Sequence, residues 1–536
     1  MLDRVILLSG PISSGKSTLA RGLGSQLAMS IVKTRDVLQH RVQPHLSNDR
    51  KALQRAGERL DKSTGGTWVV EELERWLGDH VDATDIVVDS VRIRGQIDAV
   101  RKAYGPRVVH VYLSAPLKEL ENRYKRRHKS GRESTKSYAE ARADPTERQV
   151  ETLRDTADIV IDTKRCTAQD VLLRVTGHLM VRRGKGSGYV DVVVGGQYGS
   201  EGKGQIAAYL STEYDLLVRV GGPNAGHTVY EEPNSYIHHQ LPSGTRRGQA
   251  RLVIGPGATL RVDGLLTEIA DCKVEAGRLY IDPQAMIISN ADIKKEEKGK
   301  TTIGSTGQGV GAAMTRRISG RLSKTPPRMA RDIPELQPYR HYAVDILSEA
   351  YLEGGRILLE GTQGTSLSLY HGSYPHVTSR DTTVSGCLAE AGIPWNRVRR
   401  AIMVCRTYPI RVENPEGGSS GHMSQEITWE EVGRRSGINA RKLRETERTS
   451  TTDRPRRVGE FDWNLLRKST LLNGPTDIAL TFTDYLYKEN RQAMRFDQLH
   501  EDTINFIQEV ELITGAPVSL IATGFSDRCI IDRRRW

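Results

Sequence analysis

The sequence predicts an α/β protein in two parts, an N-terminal parallel sheet with flanking helices and a larger α/β domain after it. Three observations carry this. Residues 4 to 9 and 189 to 194 are apolar, β-branched runs, each followed by a glycine-rich loop, as expected where buried parallel strands feed helices. Short β-rich runs at Ile31 to Lys33, Asp85 to Ser90, Val108 to Leu113 and Ile159 to Asp162 alternate with amphipathic stretches. Finally, 536 residues exceed one ordinary core. The basic, glycine-rich stretch 181–188 (VRRGKGSG) has no apolar periodicity and is the expected linker between domains at 1–180 and 189–536. The two glycine loops differ in spacing, and no internal repeat is visible. Lys294 to Lys300 and Glu413 to Gly421 read as exposed loops.

Hydrophobic residues make up 37% and charged residues 27%, the balance of a soluble globular chain. No apolar run reaches the ~18 residues of a membrane span. The N-terminal run leads into a glycine loop, so it reads as a buried strand and not as a signal peptide. Five scattered cysteines without metal-like spacing fit reduced thiols and a cytoplasmic location. The net charge of +12 comes with only 6% aromatic residues and no helix-turn-helix, zinc-finger or RNP pattern. Pockets for anionic nucleotides are therefore expected, and polynucleotide binding is not.

Gly10 to Ser17 reads GPISSGKS, matching G-x-x-x-x-G-K-[ST] between a strand and the helical stretch Thr18 to Leu27. Gly10 and Gly15 let backbone N–H groups turn inward around phosphates, with Ser13, Ser14 and Thr18 beside them. Lys16 reaches the outer phosphates, and Ser17 can ligate Mg²⁺. ATP binding is expected here. The surrounding stretch resembles small P-loop nucleoside and nucleotide kinases. Asp36 and Asp89 follow the second and third strands, where such kinases hold an acceptor, a metal or a base. Arg123, Lys125, Arg126 and Arg127 resemble a lid that clamps the transferring phosphate. The same residues read equally well as an N-cap and a solvated helix face, and the acceptor stays open.

The second loop, GGQYGSEGKGQ (Gly195 to Gln205), is followed by GGPNAGHT (Gly221 to Thr228). Together with IGSTGQGVG (Ile303 to Gly311), EGTQGT (Glu360 to Thr365), HGSYPHVT (His371 to Thr378) and TTDRPRRVG (Thr451 to Gly459), these resemble, in order, the motifs of adenylosuccinate synthetase. The resemblance spans about residues 189 to 536. It implies a ligase that joins aspartate to C6 of a purine monophosphate. The purine O6 is first phosphorylated by a triphosphate with Mg²⁺, and the aspartate nitrogen then displaces that phosphate. It further implies a homodimer.

Carried over residue by residue, Gly199, Glu201, Gly202 and Gly204 form the phosphate loop, with Lys203 supplying charge. Asn224 meets the monophosphate. His227 stabilises charge on the γ-phosphate and O6. The Gly226 carbonyl ligates Mg²⁺, and Thr228 borders the triphosphate. Thr306 and Thr378 bind the 5′-phosphate, Gln363 the purine ring and the Val412 carbonyl the ribose. Arg316, with Arg317 as the other reading, reaches the nucleotide of the neighbouring subunit. Thr451, Thr452, Arg454 and Arg456 hold the aspartate carboxylates, work that suits the planar guanidinium. Asp484, Thr523 and Gly524 line the pocket of the triphosphate base.

Three positions depart from the family pattern. Ser200 stands where the family has its catalytic, Mg²⁺-binding Asp. A serine is a poor base and a weak metal ligand. The 2-aminoadenylosuccinate synthetases, a subgroup of the family that uses (d)GMP, also carry Ser here, and CRTYPIRV (Cys405 to Val412) resembles that subgroup too. The expected substrate is therefore GMP or dGMP. IMP and a ligation-dead nucleotide sensor are the other readings. Phe482 replaces a lysine that covers guanine in the family. An aromatic ring stacks on any purine, which opens the donor to ATP as well as GTP. Tyr370 replaces an Asp, without a physical account.

Overall fold

The structure is a computed structural model that describes residues 2–42, 50–129, 137–164, 166–179, 188–231, 233–416 and 418–534. The chain divides into two compact units, Met1–Arg182 and Arg183–Trp536. Residues 181–187 of the expected linker lie outside the described residues. Gly188 packs within the second unit, where a Cβ on it would lie 2.8 Å from Tyr351 Cα. Among the described residues, no helix is long and apolar enough to cross a membrane.

The first unit holds five parallel strands: β1 (Arg4–Ser9), β2 (Ser30–Lys33), β3 (Asp85–Asp89), β4 (Val108–Ser114) and β5 (Ile159–Asp162), in the order β2-β3-β1-β4-β5. The central β1 is apolar on both faces because helices cover both. Val5 and Leu7 enter one core with Ile97 and Val100 of helix Arg94–Tyr104. Ile6 and Leu8 enter the other with Leu19 and Leu23 of helix Lys16–Leu27. The loop after β1 therefore leaves the sheet at its centre, at the carboxyl edge where ligands of open α/β sheets bind.

In the second unit the strands are β6 (Tyr189–Gly195), β7 (Leu216–Arg219), β8 (His227–Glu231), β9 (Asn234–His238), β10 (Arg251–Ile254), β11 (Thr259–Leu260), β12 (Leu279–Ile281), β13 (Met286–Ile287), β14 (Arg356–Gly364), β15 (Val398–Arg406), β16 (Ile410–Val412), β17 (Glu426–Ile427), β18 (Arg456–Gly459), β19 (Asp477–Thr481), β20 (Val518–Ala522) and β21 (Ile530–Asp532). The large sheet runs β12-β10-β7-β14-β6-β15-β19-β20-β21 and is parallel except at β21. β8 and β9 form an antiparallel hairpin that sets His227 opposite His238. β16, β18 and β17 form a small antiparallel sheet.

One expectation is overturned. Lys294 to Lys300 lie in the helix Asn290–Thr302. Its polar composition hid the helical period, and its start is fixed by Asp292, whose Oδ2 accepts from Ser289 N (2.8 Å) and Oγ (2.7 Å). The stretch Glu413 to Gly421 is irregular as expected, yet Ser420 within it is buried.

The centre of the large sheet contains a charge. Asp191 of β6 is fully buried, accepts from Tyr214 Oη at 2.6 Å and pairs with Arg399. Removing one partner of a buried ion pair strands the other. Arg399→Leu should therefore destabilise the second unit by about 3–5 kcal/mol in urea unfolding. A loss below about 1 kcal/mol, the range of exposed pairs, would show that water reaches Asp191.

Candidate functional site

In the first unit the chain turns after β1 through Gly10 (φ 132°), Ser13 (φ 68°) and Gly15 (φ 106°). A Cβ on Gly10 would lie 2.2 Å from Leu113 O, so only glycine fits. Lys16 Nζ donates to the carbonyls of Gly10 (2.7 Å) and Pro11 (2.9 Å). Burial lowers its pKa to about 8, with Glu147, Arg92, Asp89 and Arg127 as the charges around it. Arg127 donates to Ser13 Oγ at 2.9 Å, so the basic helix Leu117–Lys129 reaches the loop. Ser14 Oγ is buried without a partner among the described residues, a donor that fits a phosphate oxygen. Ser17 and Thr18 follow in the first helical turn, and Asp89 ends β3. Asp36 is exposed, 3.7 Å from Lys33. Arg123 is committed elsewhere, bonded to Glu119 and to Thr163 Oγ1 and O, each at 2.9 Å.

In the second unit the loop after β6 is built around a buried carboxylate. Glu201 Oε1 accepts from Gln197 N (2.9 Å) and Gly199 N (2.8 Å), and Oε2 pairs with Lys203 Nζ (2.7 Å). Gly199 (φ 93°) and Gly202 (φ 82°) provide the turns. Ser200 is half-buried, and its carbonyl accepts from Arg406 Nη1 at 3.1 Å. The end of β14 presses on this loop: a Cβ on Gly199 would lie 3.1 Å from Gln363 Cα. Gln363 itself is buried and holds φ 61°, a left-handed backbone conformation that is strained for a side chain of its kind.

Beside the loop lies a buried cluster that joins His227 and Glu360, both inside matched motifs, to Arg219 and Ser243, which the motifs did not select. Glu360 of β14 accepts from Arg219 Nη1 (2.9 Å), Ser243 N (2.7 Å) and Ser243 Oγ, and its Oε1 meets His227 Nδ1. Burial alone would raise the Glu360 carboxyl, but Arg219 and then His227 hold it down to about 2. His227 is lowered to about 4, first by burial and then by Arg219, so its ring is neutral near pH 7. With Nδ1 turned to Glu360, Nε2 is buried and without a protein partner. A Cβ on Gly204 would lie 2.7 Å from His227 Cβ, so the helix Lys203–Leu210 packs directly on this histidine. The sequence signal for Arg219 and Glu360 was a charge directly after an apolar run (LLVR, RILLE), at the end of β7 and midway along β14.

The remaining candidates surround this core. Asn224 has a buried, unpartnered Oδ1. Thr228 is exposed, as alternation along β8 requires. Thr306 is half-buried between Gly304 and Gly307, both with positive φ. Thr378 is half-buried. The Gly226 carbonyl accepts from Ser450 Oγ (3.0 Å), and a Cβ on Gly226 would lie 3.1 Å from Thr451 Oγ1, so the 449–456 loop abuts the NAGHT segment. In that loop Thr452 Oγ1 meets Thr449 Oγ1 (2.7 Å), and Arg454 donates to Glu413 O (3.2 Å). Arg456 is lowered to about 10 by burial, and its Nε has no partner.

Several candidate groups already have partners within the chain. The Val412 carbonyl, expected to meet ribose, accepts from Ser420 Oγ at 2.6 Å. Arg316 bonds Asp292 (3.0 and 2.6 Å) and Ile287 O (2.8 Å), and Arg317 bonds Pro256 O (3.1 Å) and Gln284 O (3.0 Å). Both arginines are thus held within their own subunit. Phe482 (φ 58°) carries the Arg406 guanidinium over one face, 3.9 Å from the ring centroid. Asp484 is buried: Oδ2 accepts from Arg491 Nε (2.8 Å), Oδ1 has no partner, and burial raises its pKa. Thr523 Oγ1 donates to Cys529 O at 3.0 Å, and Gly524 lies against Cys529.

Among the described residues, no group of three or more His, Cys, Asp or Glu side chains could hold a metal. Glu201 and Glu360 are both neutralised internally. The oxygen donors left, the Ser200 hydroxyl and the Gly226 carbonyl, fit an ion that arrives with phosphates better than a resident one.

Residues 192–326 and 327–492 match the sequence profile of the family described as adenylosuccinate synthetase. Residues 5–158 match a profile described as an AAA domain. Adenylosuccinate synthetases of Pyrococcus horikoshii and Methanocaldococcus jannaschii are each 38% identical over 355 and 352 residues, covering 64% of this chain and 98% and 96% of theirs. Among solved structures, the succinoaminodeoxyadenylate synthetase of cyanophage S-2L, described as bound to dGMP and to dATP as an energy donor, superposes with a TM-score of 0.54. It is 27% identical and covers 65% of this chain and 95% of its own.

The buried histidines give a pH signature. His227, lowered to about 4, and His238, fully buried and lowered to about 3, fold neutral, whereas unfolded histidines titrate at 6.5. Between these values the unfolded state binds more protons, so stability is full above pH 6.5 and falls as pH drops toward 4. The urea midpoint of the wild type should fall over that range, and less steeply in His238→Leu. Equal slopes would mean that His238 is solvated.

Proposed function

The chain belongs to the adenylosuccinate synthetase family, and we propose on that footing that its second unit joins the amino group of L-aspartate to C6 of GMP or dGMP. The product is the 2-amino form of (deoxy)adenylosuccinate, and ATP or GTP drives the reaction. The observation that carries the purine assignment is Ser200. It sets a short neutral hydroxyl, half-buried, at the position of the family's carboxylate. A 2-aminopurine brings an extra N–H₂ donor that a hydroxyl can accept, and serine leaves room for it. The cyanophage relative described with dGMP and dATP supports the same reading.

On this reading the purine O6 bonds to the γ-phosphorus as the bridging P–O bond breaks, the nucleoside diphosphate leaves, and the N1 proton passes to water or to a phosphate oxygen. The aspartate nitrogen then bonds to C6 as the C6–O bond breaks and phosphate leaves. Glu360 fixes the Nδ1–H tautomer of His227 and leaves Nε2 for the ligand. A phosphoryl group beside that nitrogen favours its protonated form, which then donates to the developing charge. Gln363 and Asn224 hold the purine monophosphate, with Thr306 and Thr378 at its 5′-phosphate and Val412 at the sugar. Thr451, Thr452, Arg454 and Arg456 receive the aspartate carboxylates. Gly199, Gly202, Gly204, Gly226, Thr228 and Lys203 cradle the triphosphate, and Asp484, Phe482, Thr523 and Gly524 border its base. Lys203 reaches phosphate by exchanging Glu201 for it. When bound, Mg²⁺ neutralises phosphate charge, and Ser200 and Gly226 are the donors that would hold it. A homodimer would complete the monophosphate site, with Arg316 exchanging Asp292 for the neighbouring nucleotide.

The first unit is proposed to bind ATP through Gly10, Ser13, Ser14, Gly15, Lys16, Ser17 and Thr18. It would transfer the γ-phosphoryl group to a monophosphate of the same route, with Ser17 and Asp89 fitting Mg²⁺ through hard oxygens.

Purified protein with Mg²⁺, aspartate and ATP or GTP should convert dGMP or GMP to a succino-adduct seen by mass spectrometry, and His227→Ala should abolish it. Ser200→Asp should shift preference toward IMP. An adduct from IMP alone would return the enzyme to ordinary adenylosuccinate synthesis, and nucleotide binding without any adduct would make it a sensor. In the first unit, Lys16→Met should remove phosphoryl transfer to added monophosphates while leaving the succino-adduct rate unchanged. A loss of both would refute the assignment of separate sites.

A further inference from the structure

Two replaced positions of the second unit, Ser200 and Phe482, are far apart in sequence, and one side chain touches both. Arg406, the last residue of β15, is 1% exposed. Its Nη1 donates to Ser200 O at 3.1 Å, and its guanidinium lies 3.9 Å over the Phe482 ring centroid. Glu447 neutralises it at 2.8 Å, and Tyr485 Oη donates to the same Glu447 oxygen at 2.9 Å. The Arg406 backbone holds both ends of the Gln197 amide, each at 3.0 Å.

The Phe482 segment grips the Ser200 loop a second time. Thr481 Oγ1 donates to Glu201 O at 2.7 Å, and a Cβ on Gly202 would lie 3.5 Å from Phe482 Cε2. Two consecutive carbonyls, those of Ser200 and Glu201, are thus pinned from the ends of β15 and β19. The orientation of the Ser200 peptide decides where its hydroxyl points. A guanidinium lies flat on an aromatic ring, whereas a lysine at 482 would set a second positive charge against Arg406.

We infer that Arg406 is a positioning residue that couples the two replaced positions. Phe482 seats the Arg406 guanidinium, Arg406 fixes the Ser200 peptide, and selection of a 2-aminopurine monophosphate therefore depends on a ring at the donor end of the site. This rests on the reading that Ser200 meets the purine.

The test uses the full-length protein and the variants Phe482→Leu and Arg406→Lys. Binding of dGMP and of IMP is measured by calorimetry, each with Mg²⁺ and a saturating non-hydrolysable ATP analogue. Both variants should lower the dGMP-to-IMP affinity ratio by about tenfold, the size of one well-formed hydrogen bond. A general loss of structure would weaken both monophosphates equally and leave the ratio unmoved. An unchanged ratio in Phe482→Leu, with weaker binding of the ATP analogue alone, would overturn the coupling and make Phe482 a donor-site residue only. Thermal unfolding checks the fold of each variant, and Phe482→Leu carries the test if Arg406→Lys fails to fold. A wild type that prefers IMP would sink the substrate reading, while a shift of its ratio in the variants would still support the coupling. A wild type that binds neither monophosphate would overturn both.

Discussion

The second unit depends on one buried carboxylate. Glu360, midway along β14, gathers Arg219 from β7, His227 from β8 and Ser243 from the segment after β9. An isolated carboxylate at that depth would be intolerable, and so would an isolated guanidinium. Each exists there because the other is within hydrogen-bond distance. The cluster fixes the relative positions of these chain segments, and with them the orientation of the His227 ring.

Around that cluster the loops are held by the same logic. Glu201 satisfies the N–H groups of Gln197 and Gly199 and pairs Lys203, so the phosphate loop is ordered from within. Arg380, fully buried between Thr362 and Glu390, braces β14 against Gly221, where a Cβ would lie 2.7 Å from its Nη1. Close backbone approach at Gly199, Gly221 and Gly364 brings the strand ends and loops together. Low dielectric among these groups makes each interaction strong and each orphaned atom conspicuous. The unpartnered Nε2 of His227, Nε of Arg456 and Oδ1 of Asp484 are the groups left for ligands on the proposed reading.

Much of the fold was legible in the sequence because buried parallel strands are short, apolar runs and phosphate loops are glycine-rich for steric reasons. The helix Asn290–Thr302 was not, since its polar residues carry no apolar period and its start depends on the Ser289–Asp292 cap. Arg219, Arg406 and Glu447 escaped notice for a different reason. Arg219 and Glu447 carry no motif, Arg406 lies inside CRTYPIRV without a role of its own there, and its partners Ser200 and Phe482 are distant in sequence.

The sequence by itself determined the two-unit α/β class, the two phosphate loops and the chemical types brought to the site: a histidine, a phosphate-loop lysine, an arginine-threonine loop and a serine in place of a carboxylate. These follow from local rules, since φ, periodicity and side-chain chemistry are properties of short segments. Only the tertiary structure decided which groups are paired and which are free. It gave the Val412 carbonyl a bond from Ser420, held Arg316 on Asp292 and set Arg406 over one face of Phe482. The physical reason is that pairing and burial are set by strands and loops that the chain brings together from far apart, which no local pattern encodes.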